Sequence, residues 1–328
     1  MTNDTLTALE GVLVGHAELP GAPSGCTVIL PRGGASAGVD IRGGAPGTFG
    51  TDSLNPLNLV ERVHAVFFTG GSAFGLNVAD GVRRFLQEQK VGFDTGYGHI
   101  PIVVGAVIFD LGLNATGHYP DQSLGHRACL MASNAQVKEG CVGAGLGATA
   151  GKLLGLDCGM KSGLGSALIS APTGVKVGAL MVVNAFGDVM DPSANQVIAG
   201  SRRSSNSLEL VDAEKEILNL TQLRGFPETQ NTVVGAVITN VKMNKTQLTK
   251  VAQMAHDGLA RTISPAHTQY DGDTIFALST EDKDPVEVSI VGALAARATA
   301  EAVVRGVKRA RSYGKLPANA DLINPTGG

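Results

Sequence analysis

Asn231-Thr232-Val233-Val234-Gly235-Ala236-Val237-Ile238-Thr239 is the stretch on which the fold turns. From Val233 to Ile238 the apolar residues run almost without a break. A strand with that pattern is covered on both faces rather than half-exposed. Immediately before it lies a polar run, Arg224 to Asn231, which contains Pro227. Further upstream, Ser201 to Ser207 is polar, and Leu210 to Leu220 reads as a possible helix. The whole stretch 201–231 is therefore the best candidate for an exposed connector, and a buried strand begins where it ends.

Outward from this point, strand-like and helical runs alternate. Cys26–Leu30, Ala65–Thr69 and Ile102–Phe109 have the composition of strands. After Gly70-Gly71 a helix is expected, with Ser72 as its N-cap and Phe74, Val78, Val82 and Phe85 on one face. Val175–Asn184, the turn Ala185-Phe186-Gly187-Asp188 and Val189-Met190-Asp191 read as a hairpin. Downstream, a helix from Lys245 to Thr262 is capped by Asn244 and turns Leu248, Val251, Ala255 and Leu259 inward. Thr274–Leu278 is another strand, and a last long helix covers Val286 to Arg311. Hairpins outnumber β-α-β units in this order. An α+β fold is expected, with sheets packed on each other and flanked by helices.

Composition narrows the function. The 328 residues are 43% hydrophobic and 17% charged, with 44 glycines and no Trp, so the core rests on Val, Leu, Ile and Ala. The net charge of −3 carries none of the basic footprint of a nucleic-acid binder. Arg305, Lys308, Arg309 and Arg311 read as a solvated helix face. Cys26, Cys129, Cys141 and Cys158 form no C-x-x-C pair and read as reduced thiols. Met1 to Glu10 has no basic start and no apolar run, so no secretory leader is expected, and Ile100–Phe109 is too short to cross a membrane. The expectation is a cytoplasmic protein acting without nucleic acid or membrane.

Several motifs fail on spacing. Gly143-Ala144-Gly145-Leu146-Gly147 lacks the G-x-G-x-x-G interval. Gly151-Lys152 is followed by Leu153, not Ser or Thr, which rules out a phosphate loop. Asp271-Gly272-Asp273 breaks the calcium ladder at Ile275. There is no H-E-x-x-H and no G-x-S-x-G. No metal and no cofactor is expected.

Asn231-Thr232 can carry chemistry. A threonine hydroxyl is a weak nucleophile and needs a base. If the bond before Thr232 is cut, the residue exposes its own α-amine, with a pKa of about 7.7–8.0, and that amine can take the hydroxyl proton. The same hydroxyl can make the cut by attacking the Asn231 carbonyl. Taken alone, an Asn-Thr pair ahead of a strand is equally an ordinary strand start.

A longer pattern frames this pair. Thr232-Val233, Ile238-Thr239-Asn240-Val241-Lys242-Met243, His256, His267-Thr268 and Asp271-Gly272-Asp273-Thr274-Ile275-Phe276-Ala277 occur in order. Upstream stand Val39-Asp40-Ile41-Arg42-Gly43-Gly44, Phe68-Thr69-Gly70-Gly71, Tyr119-Pro120-Asp121, Gly125, Ala150-Gly151-Lys152 and Val183-Asn184. From about residue 10 to 310 the chain resembles the self-processing β-aminopeptidase/D-aminopeptidase family, which includes the 6-aminohexanoate-oligomer (nylon-oligomer) hydrolases. The resemblance implies an N-terminal-nucleophile-like αββα sandwich, built by a single domain, 1–328, that cuts itself into 1–231 and 232–328. It also implies a homo-oligomer, with a tetramer favoured, and a small amide or short peptide as substrate. Thr232 matches the family nucleophile and Asn231 the residue before the cut. Asn184 matches an oxyanion-holding amide, and Lys152 a lysine near the nucleophile. Asp271 and Asp273 match the acidic or hydroxyl pair beside it, expected on one face of a strand. The Asp-Gly-Asp form is nearer the nylon-oligomer hydrolases. Phe109 departs from the family, since some members carry a tyrosine there that helps hold the oxyanion. Val233 stands where Thr or Ser is common.

Each residue has a plainer reading. Asn184 would be a hairpin turn residue, Lys152 a solvated lysine after a glycine turn, and the aspartates turn formers around Gly272. His256 reads as structural, and His267 is left open. Four functions compete: an endo-acting amidase on ω-amino-acid amides, an exo-acting aminopeptidase on β- or D-amino-acid termini, an acetyltransferase of related fold, and an uncleaved binding protein.

Overall fold

The computed structural model describes residues 3–223 and 231–323. Its architecture follows from the doubly apolar strand. That strand, β8 (Thr232–Val241), turns Val234, Ala236 and Ile238 toward one core and Val233, Val237 and Val241 toward another. It therefore lies between two packed layers.

The sheet containing β8 has six strands. Their order is β6 (Leu164–Ser170), β7 (Lys176–Asn184), β8, β9 (Thr274–Lys283), β3 (Ala35–Ile41) and an edge pair residue set, Arg62–Val63. A five-stranded sheet faces it, in the order β1 (Val12–Glu18), β2 (Gly25–Pro31), β4 (Ala65–Thr69), β5 (Val103–Val107) and Thr48–Phe49. Val14, Ile29, Phe68 and Val104 of the second sheet meet Leu180, Val234, Ile238 and Phe276 of the first. On the outer face of the five-stranded sheet lie α1 (Val78–Glu88) and α2 (Gln122–Leu130). On the outer face of the six-stranded sheet lie α3 (Lys245–Ala260) and α4 (Val288–Lys308). The result is the expected α+β sandwich, helix over sheet over sheet over helix. Pairing is antiparallel except at β4–β5 and β8–β9, whose connections carry α1 and α3. Asn244 and Gln247 close a capping box on α3, as the sequence predicts for Asn244.

Four expectations change. Asn184 is the last residue of β7, and the segment after it does not fold back on β7. The Phe186 and Gly187 carbonyls accept from Lys152 and Gly151 N–H (2.8 and 3.1 Å), which draws the chain away. Asp188–Asp191 then pairs with Gln196–Ala199 and Ile263–Ser264 in a separate sheet. Ser72 does not cap α1. At φ +52° it opens a 3-10 turn, Ser72–Asn77, and a capping residue needs extended backbone. The helix expected at Leu210–Leu220 shrinks to Ala213–Ile217. The connector is not uniformly exposed: Arg202 is buried, and its guanidinium donates to the carbonyls of Asp157, Gly159, Ser205 and Ser207. The remainder of the polar run, 224–230, lies outside the described residues.

Ile238 is fully buried between the sheets. Ile238→Ala should lower unfolding free energy by about 2–5 kcal/mol, read from urea-unfolding midpoints. A cost below about 1 kcal/mol would mean that the layer between the sheets is not close-packed there.

Candidate active site

Thr232 is the first residue of β8, and in the ladder it faces Asn184, the last residue of β7. Directly opposed strand residues place their side chains side by side on one face. Here that face is the one between the sheets, because Val182 and Val234, two residues on, both lie in that core. Thr232 is buried, and its hydroxyl donates to the carbonyl oxygen of Asn231. The nucleophile candidate is thus held against the carbonyl it would attack. Asn231 is buried too. Its side-chain amide has no hydrogen-bond partner among the described residues.

The Asn184 amide is oriented by what its oxygen accepts. Thr149 N–H (3.1 Å), the Thr149 hydroxyl (3.2 Å) and Lys152 Nζ (2.8 Å) all point at Oδ1. Nδ2 is thereby turned outward and donates to the carbonyl of Phe109 at 3.0 Å. Phe109 follows β5, so this one amide ties the ends of the two sheets together. Lys152 is 0% exposed, which excludes the solvated reading. Its ammonium also donates to Thr149 Oγ1 and to the Thr149 and Asn184 carbonyls. Burial pulls its pKa down to about 7, with Asp271 opposing and a second lysine, Lys161, assisting. Lys161, not singled out by sequence, pairs with Thr149 in register and donates to the carbonyls of Ala148 and Ser162 (2.6 and 2.9 Å). It therefore braces the segment that holds Asn184.

Asp271 and Asp273 do not alternate on a strand. They lie in the loop just ahead of β9, which starts at Thr274. Segment 42–45 anchors that loop: Arg42 and Ala45 N–H donate to the Asp273 and Asp271 carbonyls. This accounts for Arg42-Gly43-Gly44, since a Cβ on Gly43 would sit 2.3 Å from Asp271 O and Asp273 N. The two carboxylates have separate partners. Asp271 accepts from Thr268 N–H (2.9 Å) and its hydroxyl (2.6 Å). Asp273 accepts from Val233 N–H (2.8 Å) and from His267, both N–H (3.1 Å) and Nδ1 (2.8 Å). Burial and the nearby Asp273 charge push the Asp271 carboxyl up to about 7. Between the two aspartates Gly272 packs on Thr232: a Cβ there would lie 2.9 Å from Thr232 Oγ1.

All the residues singled out from sequence therefore meet at one end of the layer between the sheets. His256 is buried on α3 and donates Nε2–H to the carbonyl of Asp40 (3.1 Å), in keeping with a structural role. His267, left open by sequence, touches Asp273 directly.

The profile of peptidase family S58 matches residues 4–317. An uncharacterized aminopeptidase of Mycobacterium tuberculosis is 39% identical, with 98% of each chain covered. The chain belongs to peptidase family S58. It is thus a member of a family of peptidases and amide hydrolases. A 6-aminohexanoate-oligomer endohydrolase of Paenarthrobacter ureafaciens is 32% identical, over 91% of this chain and 84% of that one. Among solved structures, a β-aminopeptidase of Burkholderia sp. aligns with a TM-score of 0.74 at 22% identity, covering 98% of this chain and 93% of that one. The L-aminopeptidase D-Ala-esterase/amidase of Ochrobactrum anthropi, described as a variant of the N-terminal-nucleophile hydrolase fold, gives 0.71 at 20% identity, covering 98% and 92%. The S58 chain therefore has that fold, as expected from sequence.

Two predictions follow from the geometry. Gly272→Ala should force the loop or the Thr232 hydroxyl to move. Any chemistry at Thr232 should then slow by about 100-fold, with some loss of melting temperature because the same Cβ also meets the Ala45 carbonyl at 2.9 Å; an unchanged rate would show that the hydroxyl has room. The second concerns pH. A carboxyl raised from its ordinary 3.8 to about 7 holds a proton in the folded chain that the unfolded chain has released. Its stabilising contribution is complete below about pH 4 and is lost as pH rises toward 7. Lys152, lowered from 10.5 to about 7, has the opposite effect: stability gained above 10.5 is lost as pH falls toward 7. In an uncut Thr232→Ala chain, Asp271→Asn should flatten the first limb and Lys152→Met the second. An Asp271→Asn curve parallel to its parent between pH 4 and 7 would show that Asp271 titrates normally.

Proposed function

We propose that this S58 chain is a self-cleaving amide hydrolase with Thr232 as nucleophile. The observation that carries the reading is the contact between the Thr232 hydroxyl and the Asn231 carbonyl, at a residue packed against Asp271-Gly272-Asp273 and opposite Asn184. In the first reaction Thr232 Oγ bonds to the Asn231 carbonyl carbon and gives its proton to a neighbouring base. Lys152 and Asp271 are the candidates, because groups that titrate near neutrality exchange protons readily at physiological pH. The Asn231–Thr232 C–N bond breaks, and the nitrogen takes a proton. Water then hydrolyses the ester, releasing the Asn231 carboxylate and a free Thr232 α-amine.

In the second reaction that amine is the base. Thr232 Oγ attacks a substrate amide, the amine takes the hydroxyl proton and passes it to the departing nitrogen, and water frees the acyl group. The Asn184 amide is the side-chain candidate for holding the developing oxyanion, a contribution of about 3–4 kcal/mol where a single donor is removed. Phe109 supplies no hydroxyl for that task.

For substrate we favour endo-type cleavage of ω-amino-acid amides such as 6-aminohexanoate oligomers. The Asp-Gly-Asp pair and the 32% identity to the endohydrolase support it. The second reading is an exo-acting aminopeptidase, supported by the 39% identity to a protein named as one. A buried carboxylate could grip a substrate amine in that case. Intact-mass analysis should give two fragments, 1–231 and 232–328, for the wild type. Thr232→Ala should give one chain without amidase activity. A fully active Thr232→Ala chain would overturn the proposal. A cyclic 6-aminohexanoate oligomer, which has no free terminus, separates the substrate readings: an endo-acting enzyme opens it and an exo-acting one does not.

A further inference from the structure

We propose that His267 is a positioning residue of this site, a clamp that fixes Asp273 and through it the start of β8. The inference rests on the Thr232 reading only for its kinetic consequences; the clamp itself is a matter of contacts. One Asp273 oxygen, Oδ2, accepts twice from the same residue, from the His267 main-chain N–H at 3.1 Å and from ring Nδ1 at 2.8 Å. The other, Oδ1, accepts from Val233 N–H at 2.8 Å. A carboxylate held at both ends by N–H donors cannot rotate without losing one of them. Its free end is spent on the residue next to Thr232. Any loosening of Asp273 therefore moves the nucleophile.

The ring is itself fixed. A carboxylate only accepts, so His267 Nδ1 is the donor to Asp273. Nε2 is buried with no partner among the described residues. Behind it stands His256, edge-on at 4.8 Å between centroids and 71° between planes. Its Nε2–H goes to the Asp40 carbonyl, and its Nδ1 is likewise buried and unpartnered. The two rings thus pack edge to face. Asp40, which holds His256, is itself held by Arg42 at 2.8 Å, and Arg42 begins the segment that anchors the Asp271–Asp273 loop. The clamp and the loop anchor converge on the same few residues.

Backbone conformation supplies a clean test. His267 has φ +58°, a region that Gly and Asn adopt without the strain felt by other residues. His267→Gly removes the ring without straining the chain. His267→Asn places a side-chain N–H about where Nδ1 was, so it should restore the bond to Asp273. Amide exchange at Val233, in an uncut Thr232→Ala background, reads the clamp without any chemistry. His267→Gly should accelerate it by about tenfold or more, and His267→Asn should return it close to the parent. In chains that carry Thr232, His267→Gly should slow fragment formation and kcat by about 10- to 100-fold, with KM within about twofold. His267→Asn should recover most of the loss.

Val233 exchange unchanged in His267→Gly would overturn the clamp, as would an Asn variant no better than Gly in both assays. If exchange responds as expected while Thr232→Ala proves active, the clamp stands and only the nucleophile assignment falls.

Discussion

The double burial of β8 is the constraint on which the rest depends. Its odd-numbered valines pack under α3 and α4, and its even-numbered residues fill the layer between the sheets. Side chains alternate with period two, so a slip of one residue would exchange the two sets entirely. Neither layer would tolerate that. Register is therefore fixed by packing along the whole strand, and its first residue inherits the precision. Thr232 faces Asn184 because Val234 faces Val182 and Ala236 faces Leu180. A side chain at the end of so constrained a strand needs few further contacts to be placed.

Beside this apolar frame stands a set of buried cations held largely by main-chain oxygens. Lys152 reaches the Asn184 carbonyl and Lys161 that of Ala148, Arg202 binds two carbonyls of the connector and those of Asp157 and Gly159, and Lys245 caps those of Ser53, Asn55 and Asn58. Desolvating a cation is costly unless its N–H groups are satisfied, and several carbonyls can do that without a carboxylate. Each such cation gathers loop segments distant in sequence. In a chain with 44 glycines, loops have much conformational freedom to lose, and these polar hubs fix them where side-chain packing is thin. Near Thr232 the same device has a chemical effect. A lysine satisfied by neutral oxygens gains less from its charge than one paired with a carboxylate, and its pKa falls toward neutrality.

Much of this was legible in sequence. The unbroken apolarity of Val233–Ile238 announced a two-sided strand, and periodicity placed α3 and α4 to within a few residues. Asn184, Lys152, Asp271 and Asp273 could be picked out only through the resemblance to the self-processing aminopeptidase family. Long-range geometry could not be read. Nothing local distinguishes Lys152, fully buried, from a solvated lysine after a glycine turn; its burial comes from Asn184 and Thr149 arriving from other elements. The Val175–Asp191 hairpin failed for the same reason, because Gly151-Lys152 claims the carbonyls at its bend. The aspartates were assigned to a strand by analogy with alternation, whereas the chain uses them as loop acceptors with separate partners. His267 was indistinct because its role depends on a left-handed backbone conformation that sequence seldom reveals for a non-glycine residue.

The arrangement also bears on how one site would serve the two proposed reactions. A site that cuts its own chain loses a tether at the moment it becomes an enzyme, and the new terminus would ordinarily fray. Here the anchors lie on the C-terminal side of the bond. Val233 N–H is held by Asp273, and Thr232 packs under Gly272, so neither depends on Asn231 remaining attached. Asn231, by contrast, is buried with no side-chain partner among the described residues. The contacts on the downstream side of the bond would thus persist after a cut. If the bond before Thr232 is broken, the hydroxyl loses its bond to the Asn231 carbonyl but keeps its packing against Gly272, and the place of that carbonyl is the one a substrate carbonyl would have to fill.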